Sequence, residues 1–169
     1  FHGIMLSLIF EKNFAFCKTD FIMAKVDKFL QELNLFNLFD KNQNKLRYVA
    51  KVVDANSVQY KKSTPNDVLY DNMDRFITGR GVETNISRAA QAFLDAANAD
   101  METLKIRCII KDSIYYKFII PKSDGFIYHT EKSTMMGRNA ADCLEFLKNP
   151  LNDDLLLDLT KKLETHWNL

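Results

Sequence analysis

The sequence predicts an α+β protein, in which an N-terminal α/β segment is followed by a helix, a three-stranded antiparallel meander and two C-terminal helices. Apolar residues recur at helical spacing in several segments and alternate along others. Turn signals such as Ser123-Asp124-Gly125 separate the alternating runs. A chain of 169 residues with 47% hydrophobic content is long enough for one sizeable core.

The N-terminal segment, residues 1–80, is predicted to alternate helices and short strands. Residues 4–10 fit either a helix or a buried strand, and Met5, Leu6 and Leu8, which are not branched at Cβ, favour a helix. Thr64-Pro65 is a typical helix start, and Gly79 is a typical helix end. The further elements predicted here are a strand at 14–17, a helix at 21–39, and strands at 46–53 and 58–62.

Gly79-Arg80-Gly81 is the candidate boundary with a second module, residues 81–169. A helix is expected to run to about Asn98, because Ala89, Phe93 and Ala97 lie at helical spacing. The remaining elements predicted are strands at 104–111, 114–120 and 126–129, and helices at 140–147 and 152–167.

Composition restricts the classes of partner and site. The net charge of +1 predicts no global field that would attract nucleic acid or membranes, so a basic patch must be local. Cys17, Cys108 and Cys143 are far apart and have no ligand spacing, so we expect reduced, buried thiols and no metal or other cofactor. The opening apolar run has about ten residues, well short of the roughly 20 that a membrane span needs. These features are typical of a cytoplasmic protein.

His2 and Gly3 precede that apolar run and form the first candidate site. The N-terminus of a helix attracts anions, glycine allows close approach, and histidine can bind or protonate a phosphate. An ordinary capped helix fits the same pattern. Because the chain begins at Phe1, inside the motif, we expect it to be a fragment whose N-terminal part is missing.

The segment FHGIMLSLIFEKNF (residues 1–14) resembles the motif of FHG, a short helix and F-x-K-P-F found in polysaccharide pyruvyltransferases. Residues 24–39 resemble the helix that follows in that family, so the resemblance covers residues 1 to about 40. Asn13 and Asn34 replace the proline and glycine of the family pattern. The resemblance implies a two-domain α/β fold that transfers a pyruvyl group from phosphoenolpyruvate to a glycan. By the same resemblance, His2 is catalytic and binds the donor together with Gly3.

The second candidate site lies on the predicted meander. Lys105 and Arg107 share one face of their strand, opposite Tyr115 and Lys117 of the next. Such a basic and aromatic sheet face could bind single-stranded nucleic acid or a protein partner without catalysis. A solvated sheet face has the same composition. The sequence therefore leaves two hypotheses, a pyruvyltransferase-like fragment and a non-catalytic binding module.

Overall fold

The computed structural model describes residues 33–79 and 86–168. These residues combine helices with one small antiparallel sheet, which confirms the predicted α+β class. The helices are 33–41 (α1), Gln43–Val53 (α2), Asn66–Ile77 (α3), Ile86–Asn98 (α4), Met101–Tyr115 (α5), Ala140–Lys148 (α6) and Asp153–Trp167 (α7). The strands are Ile119–Pro121 (β1), Ile127–His129 (β2) and Met135–Gly137 (β3), and short 3-10 turns lie at Ser57–Gln59 and Pro150–Asn152.

Local signals set several helix ends where the sequence predicted them. Helix α3 follows Pro65, and Gly79 lies beyond its end with φ +71°. The side chain of Asn139 accepts hydrogen bonds from the first backbone N–H groups of α6. Asn149-Pro150 then ends this helix, as expected. The predicted last helix is also confirmed as α7.

Helix α5 is the central element, because it contributes to both hydrophobic clusters of the core. Leu104 packs with α1, α2, α3 and α4 around Leu46 and Phe93. Ile106, Ile109 and Ile110 pack with the sheet, α6 and α7. The first cluster therefore contains residues from both sides of residue 80. The boundary between two modules that was predicted at this position stays a prediction.

The three strands form a meander in the order β1-β2-β3. Ile119 pairs with His129 across β1 and β2, and Ile127 pairs with Gly137 across β2 and β3. The hairpin predicted at Ser123-Asp124-Gly125 is present, and Gly125 has φ +82°. The predicted meander and C-terminal helices are confirmed, although the strands lie later in the chain than expected.

Three of the strands predicted individually are wrong, and a fourth, at 114–120, is right only at its end, where Ile119 and Ile120 belong to β1. Residues 46–53 belong to α2, and residues 58–62 form a 3-10 turn and loop. Residues 104–111 and the first part of 114–120 belong to α5, whereas β3 had not been predicted. Helix α5 is buried on several sides, so its apolar residues do not follow the single stripe of an exposed helix. Their alternation resembled a strand for that reason.

Some predictions fall outside the described residues. These are the elements predicted at 4–10 and 14–17, the part of the predicted helix 21–39 that precedes residue 33, the candidate site residues His2 and Gly3, and Cys17. Cys108 and Cys143 are free, buried thiols, as expected. Burial raises their pKa values to about 12 and about 11, so both remain protonated at neutral pH. Across residues 33–79 and 86–168, every helix is too short or too polar to cross a bilayer.

Candidate anion site

A cavity of about 370 Å³ lies between α2, the loop after it, the start of α5 and the end of α7. Its size is within the range of small-molecule sites. None of its lining residues carries a carboxylate, whereas four are basic and three are aromatic. We call it the cationic cavity, and its lining is Asn44, Arg47, Tyr48, Lys51, Tyr60, Lys62, Met101, Lys105 and Trp167.

Helical periodicity brings most of these side chains to the cavity. Asn44, Arg47, Tyr48 and Lys51 follow i, i+3, i+4, i+7 spacing and therefore share one face of α2. Leu46, Val49 and Ala50 lie on its buried side. On α5, Met101 and Lys105 are one turn apart and face the same cavity.

Arg47 is fixed at one end of its guanidinium group. Its Nη2 donates to the carbonyl of Thr64 at 3.1 Å and reaches the side-chain oxygen of Asn66 at 3.5 Å. Its Nε is buried and has no hydrogen-bond partner among the residues described. Buried donors are normally satisfied, so this N–H lacks the acceptor that such a group usually has.

Asp112 lies behind the lining and holds two of its residues, Lys51 and Trp167, in place. Its carboxylate is fully buried and accepts from Lys51 Nζ, Ser57 Oγ and Trp167 Nε1, each at 2.6 Å. Lys51 Nζ also lies 5.0 Å from the centre of the Trp167 ring. Asp112 compensates the charge of Lys51, so the uncompensated positive charge of the cavity comes from the other basic residues.

Lys62 and Lys105 supply part of that charge at the rim. Both side chains are exposed, and neither Nζ has a hydrogen-bond or ion-pair partner in the described part of the chain. The backbone N–H of Lys62 donates to the carbonyl of Trp167 at 3.1 Å, which fixes the loop against the end of α7. The rim therefore carries two free ammonium groups on a fixed backbone.

The two phenols of the cavity are neutral at physiological pH. Burial and the hydrogen bond that Tyr60 donates to Asp54 raise the pKa of the Tyr60 hydroxyl. Burial also raises the pKa of Tyr48. Neither hydroxyl can act as a base near neutrality, so this arrangement suits binding better than proton transfer.

At the C-terminal end of α5, four rings form an aromatic cluster: Tyr115, Tyr116, Phe118 and His166. Tyr116 stacks on His166 with ring centroids 4.0 Å apart and an interplanar angle of 17°. Tyr115 packs edge-on against Tyr116 and is 60% exposed. Lys117 lies within this segment, exposed, with φ +64°.

The predicted sheet face of Lys105, Arg107, Tyr115 and Lys117 is wrong, because the first three residues lie on α5 and Lys117 directly follows it. Lys105 lines the cationic cavity, while Tyr115 and Lys117 lie at the aromatic cluster. Arg107 lies on another side of α5, where it lines an apolar groove with residues such as Ile110, Ile114 and Leu144. Lys105 and Arg107 therefore face different sides of the helix.

A second polar group joins β2 to α7. His129 is fully buried, and its Nδ1 accepts from the backbone N–H of Lys132 at 3.1 Å. Its Nε2 lies 3.4 Å from Asp158, which pairs with Lys162 at 3.0 Å. Burial lowers the pKa of His129, and the charge of Lys162 lowers it further. The imidazole is therefore neutral near pH 7, and its contacts join β2 to α7.

Sequence reasoning missed Arg47, Lys51, Asp112 and Trp167. The helical spacing of the α2 residues was a usable signal, but the strand predicted at 46–53 concealed it.

No group of three or more His, Cys, Asp or Glu residues within 33–79 and 86–168 is arranged to hold a metal ion. In comparisons with known proteins, the chain matches no protein family, no curated protein and no solved structure.

Proposed function

We propose that this chain binds a small anionic molecule in the cationic cavity, and that the ligand carries a phosphate or carboxylate group together with a flat ring. The observation that carries the proposal is the lining of the cavity, which has four basic residues and no carboxylate, and in which Arg47 keeps a buried Nε without a partner among the described residues. An unmatched buried donor costs about 1–3 kcal/mol, which an acceptor on a ligand would recover. Arginine is well suited to phosphate and carboxylate oxygens.

The other lining residues are suited to both the anionic group and the flat ring of this ligand. Lys62 and Lys105 at the rim add positive charge where a second oxyanion would lie. Tyr48 and Trp167 offer aromatic surface for a ring, next to the amide of Asn44. A nucleoside monophosphate has this combination of groups, and inorganic phosphate has only the first.

Tryptophan fluorescence tests the proposal directly, because Trp167 is the single tryptophan of the chain and lines the cavity. We expect adenosine monophosphate to change its emission in a saturable way, and inorganic phosphate to compete. Arg47→Met should weaken binding at least tenfold, as expected for the loss of a hydrogen bond to a charged group. Lys105→Met should weaken it less, because its side chain is exposed.

Arg107→Met is the matched control, since it removes the same kind of charge from another side of α5. It should leave the affinity unchanged. The proposal fails if neither adenosine monophosphate nor phosphate binds in calorimetry, or if Arg107→Met weakens binding as much as Arg47→Met and Lys105→Met do. Because Arg47 also contacts Thr64, the exposed Lys105 keeps the test valid should Arg47→Met fold poorly.

The pyruvyl transfer implied by the resemblance at residues 1–40 stays a prediction, because His2 and Gly3 lie outside the described residues. Phosphoenolpyruvate distinguishes the two sites. Loss of phosphoenolpyruvate binding in His2→Ala alone would favour the transferase prediction. Loss in Arg47→Met with normal binding in His2→Ala would assign the anion to the cationic cavity.

A further inference from the structure

We infer that the apolar groove beside Arg107 is a second ligand site, which binds a medium-chain fatty acid with its carboxylate at Arg107 and its alkyl chain along α5. The groove has a volume of about 390 Å³ and lies between α2, α5 and the start of α6. That volume is within the range of small-molecule sites. The groove shares no lining residue with the cationic cavity, so the inference goes beyond the proposed function and does not depend on it.

The lining of the groove is apolar apart from two basic side chains, and none of its residues carries a carboxylate. Arg107, Ile110, Lys111 and Ile114 follow i, i+3, i+4, i+7 spacing and therefore share one face of α5. The start of α6 and the end of α2 flank this face with small or aliphatic side chains. The complete lining is Val52, Arg107, Ile110, Lys111, Ile114, Ala140, Ala141 and Leu144.

The two basic residues of the groove differ in what their charges contact. Lys111 Nζ donates to the backbone carbonyls of Lys51 and Val52, each at 3.0 Å, and to that of Asp54. Its ammonium group is therefore engaged at the C-terminal end of α2. Arg107 is half-buried, and its guanidinium has no hydrogen-bond or ion-pair partner in the described part of the chain. The positive charge that the groove offers to a ligand is that of Arg107.

A carboxylate matches this single charge. A guanidinium group carries one positive charge and can donate two parallel hydrogen bonds to a carboxylate, which carries one negative charge. A phosphate monoester carries a charge of about −1.5 to −2, which suits the four basic residues of the cationic cavity better.

The length and polarity of the groove indicate what is attached to the carboxylate. From Arg107 to Ile114 the helix rises about 10 Å. An extended chain covers that distance with roughly eight bonds. The side chains along this length are aliphatic, so they can cover methylene groups but offer no partner to polar ones. Octanoate has the required head group and chain length.

Isothermal titration calorimetry with hexanoate, octanoate and 1-octanol tests both parts of the inference. Octanoate should bind up to about fifteenfold more tightly than hexanoate, because each covered methylene strengthens binding up to about fourfold. Arg107→Met should reduce the preference for octanoate over 1-octanol at least tenfold, as expected for a lost hydrogen bond to a charged group. Lys148→Met is the matched control, since it removes an exposed charge from the last turn of α6 and should not change that preference.

Ala141→Glu is a second variant that keeps the test valid should Arg107→Met fold poorly. Ala141 is exposed in the first turn of α6, where an acidic side chain is favourable for the helix. The added carboxylate should repel octanoate and weaken its binding at least tenfold, with a smaller effect on 1-octanol.

Three results would overturn the inference. If octanoate binds no more tightly than hexanoate, or does not bind, the groove does not hold an alkyl chain. If Lys148→Met weakens octanoate binding as much as Arg107→Met does, the attraction is not specific to the groove. If Arg47→Met abolishes octanoate binding while Arg107→Met and Ala141→Glu keep it, the carboxylate lies in the cationic cavity, and the proposed function survives without the second site.

Discussion

The indole Nε1 of Trp167 donates a hydrogen bond to the buried carboxylate of Asp112 at 2.6 Å, which joins the end of α7 to the C-terminal half of α5. Lys51 from α2 and Ser57 from the following 3-10 turn donate hydrogen bonds to the same carboxylate. One side chain therefore holds together elements that are distant in sequence. The cationic cavity depends on this group, because Lys51 and Trp167 both line it.

We expect Asp112→Asn to lower the free energy of unfolding by about 3–5 kcal/mol, because it leaves the buried ammonium of Lys51 without its counterion. Urea unfolding followed by circular dichroism measures this loss. Asp95→Asn on α4 is the control, since Asp95 is exposed and should change stability little.

A double variant separates charge from packing. Lys51→Met combined with Asp112→Leu removes both charges, and we expect it to be clearly more stable than Asp112→Asn. If Asp112→Asn unfolds at the same urea concentration as the wild type, the carboxylate does not have the structural role described above.

Lys117 occupies a backbone conformation that favours glycine, and its replacement should stabilise the fold. It follows α5 with φ +64°, where Phe118 N–H donates to Ser113 and Lys117 N–H donates to Ile114. A residue with a Cβ in this left-handed conformation costs about 1–2 kcal/mol, and Lys117→Gly removes that cost. Glycine also gives the unfolded chain more conformational entropy, which lowers the stability of the fold by about 0.5–1 kcal/mol. The expected net gain is about 0.5–1 kcal/mol in the free energy of unfolding.

Lys117→Ala is the comparison for this prediction. It removes the same charged side chain but keeps the Cβ that makes the conformation unfavourable, so no gain is expected. Equal stability of the two variants in thermal unfolding would mean that backbone strain at residue 117 is negligible.

The elements that sequence reasoning predicted correctly have chemical markers at their ends. Pro65 and Gly79 flank α3, and Asn139 and Pro150 flank α6. Helix α5 was misread although one marker was present, since Asp100 caps it by accepting from Thr103 at 2.7 Å. In addition, residues 82–120 contain neither glycine nor proline, which favours helices over a series of short strands and turns.

The site was harder to predict because its members are distant in the chain. Lys51 and Asp112 are separated by 61 residues, and Trp167 lies a further 55 residues beyond Asp112. No local pattern links a lysine on one helix to an aspartate on another. Only the packing of α2 and α7 against α5 brings them together, and that packing depends on helices that were predicted as strands.

Alanine substitutions at Gly125 and Gly137 distinguish the free-energy cost of backbone strain from the cost of a steric clash. Both have positive φ, at +148° and +82°. A Cβ at residue 137 would lie 2.3 Å from the Cβ of Asp142, whereas a Cβ at residue 125 would have nothing within 4 Å. We expect Gly125→Ala to cost about 1–2 kcal/mol from strain alone. Gly137→Ala should cost about 1–3 kcal/mol more, because the start of α6 must shift. Urea unfolding should rank the two variants in this order, and the reverse order would contradict the close approach of Gly137 to α6.

His129 should make the fold sensitive to mild acid. Burial and the nearby charge of Lys162 lower its pKa below the ordinary 6.5, although Asp158 acts in the opposite direction. As the pH falls through 6.5, the unfolded chain takes up a proton before the folded chain does, so stability decreases. The stability that neutral His129 contributes is fully present above pH 6.5. It is lost progressively as the pH falls towards the pKa of His129 in the folded state, and the free energy of unfolding then changes by at most about 1.4 kcal/mol per pH unit.

His129→Asn isolates this contribution, because its side-chain oxygen can still accept from the backbone N–H of Lys132 while no titratable group remains. Urea unfolding between about pH 5 and pH 7 should give a shallower pH dependence for the variant than for the wild type. If His129→Asn keeps the pH dependence of the wild type in this range, His129 is not the group whose protonation opposes folding.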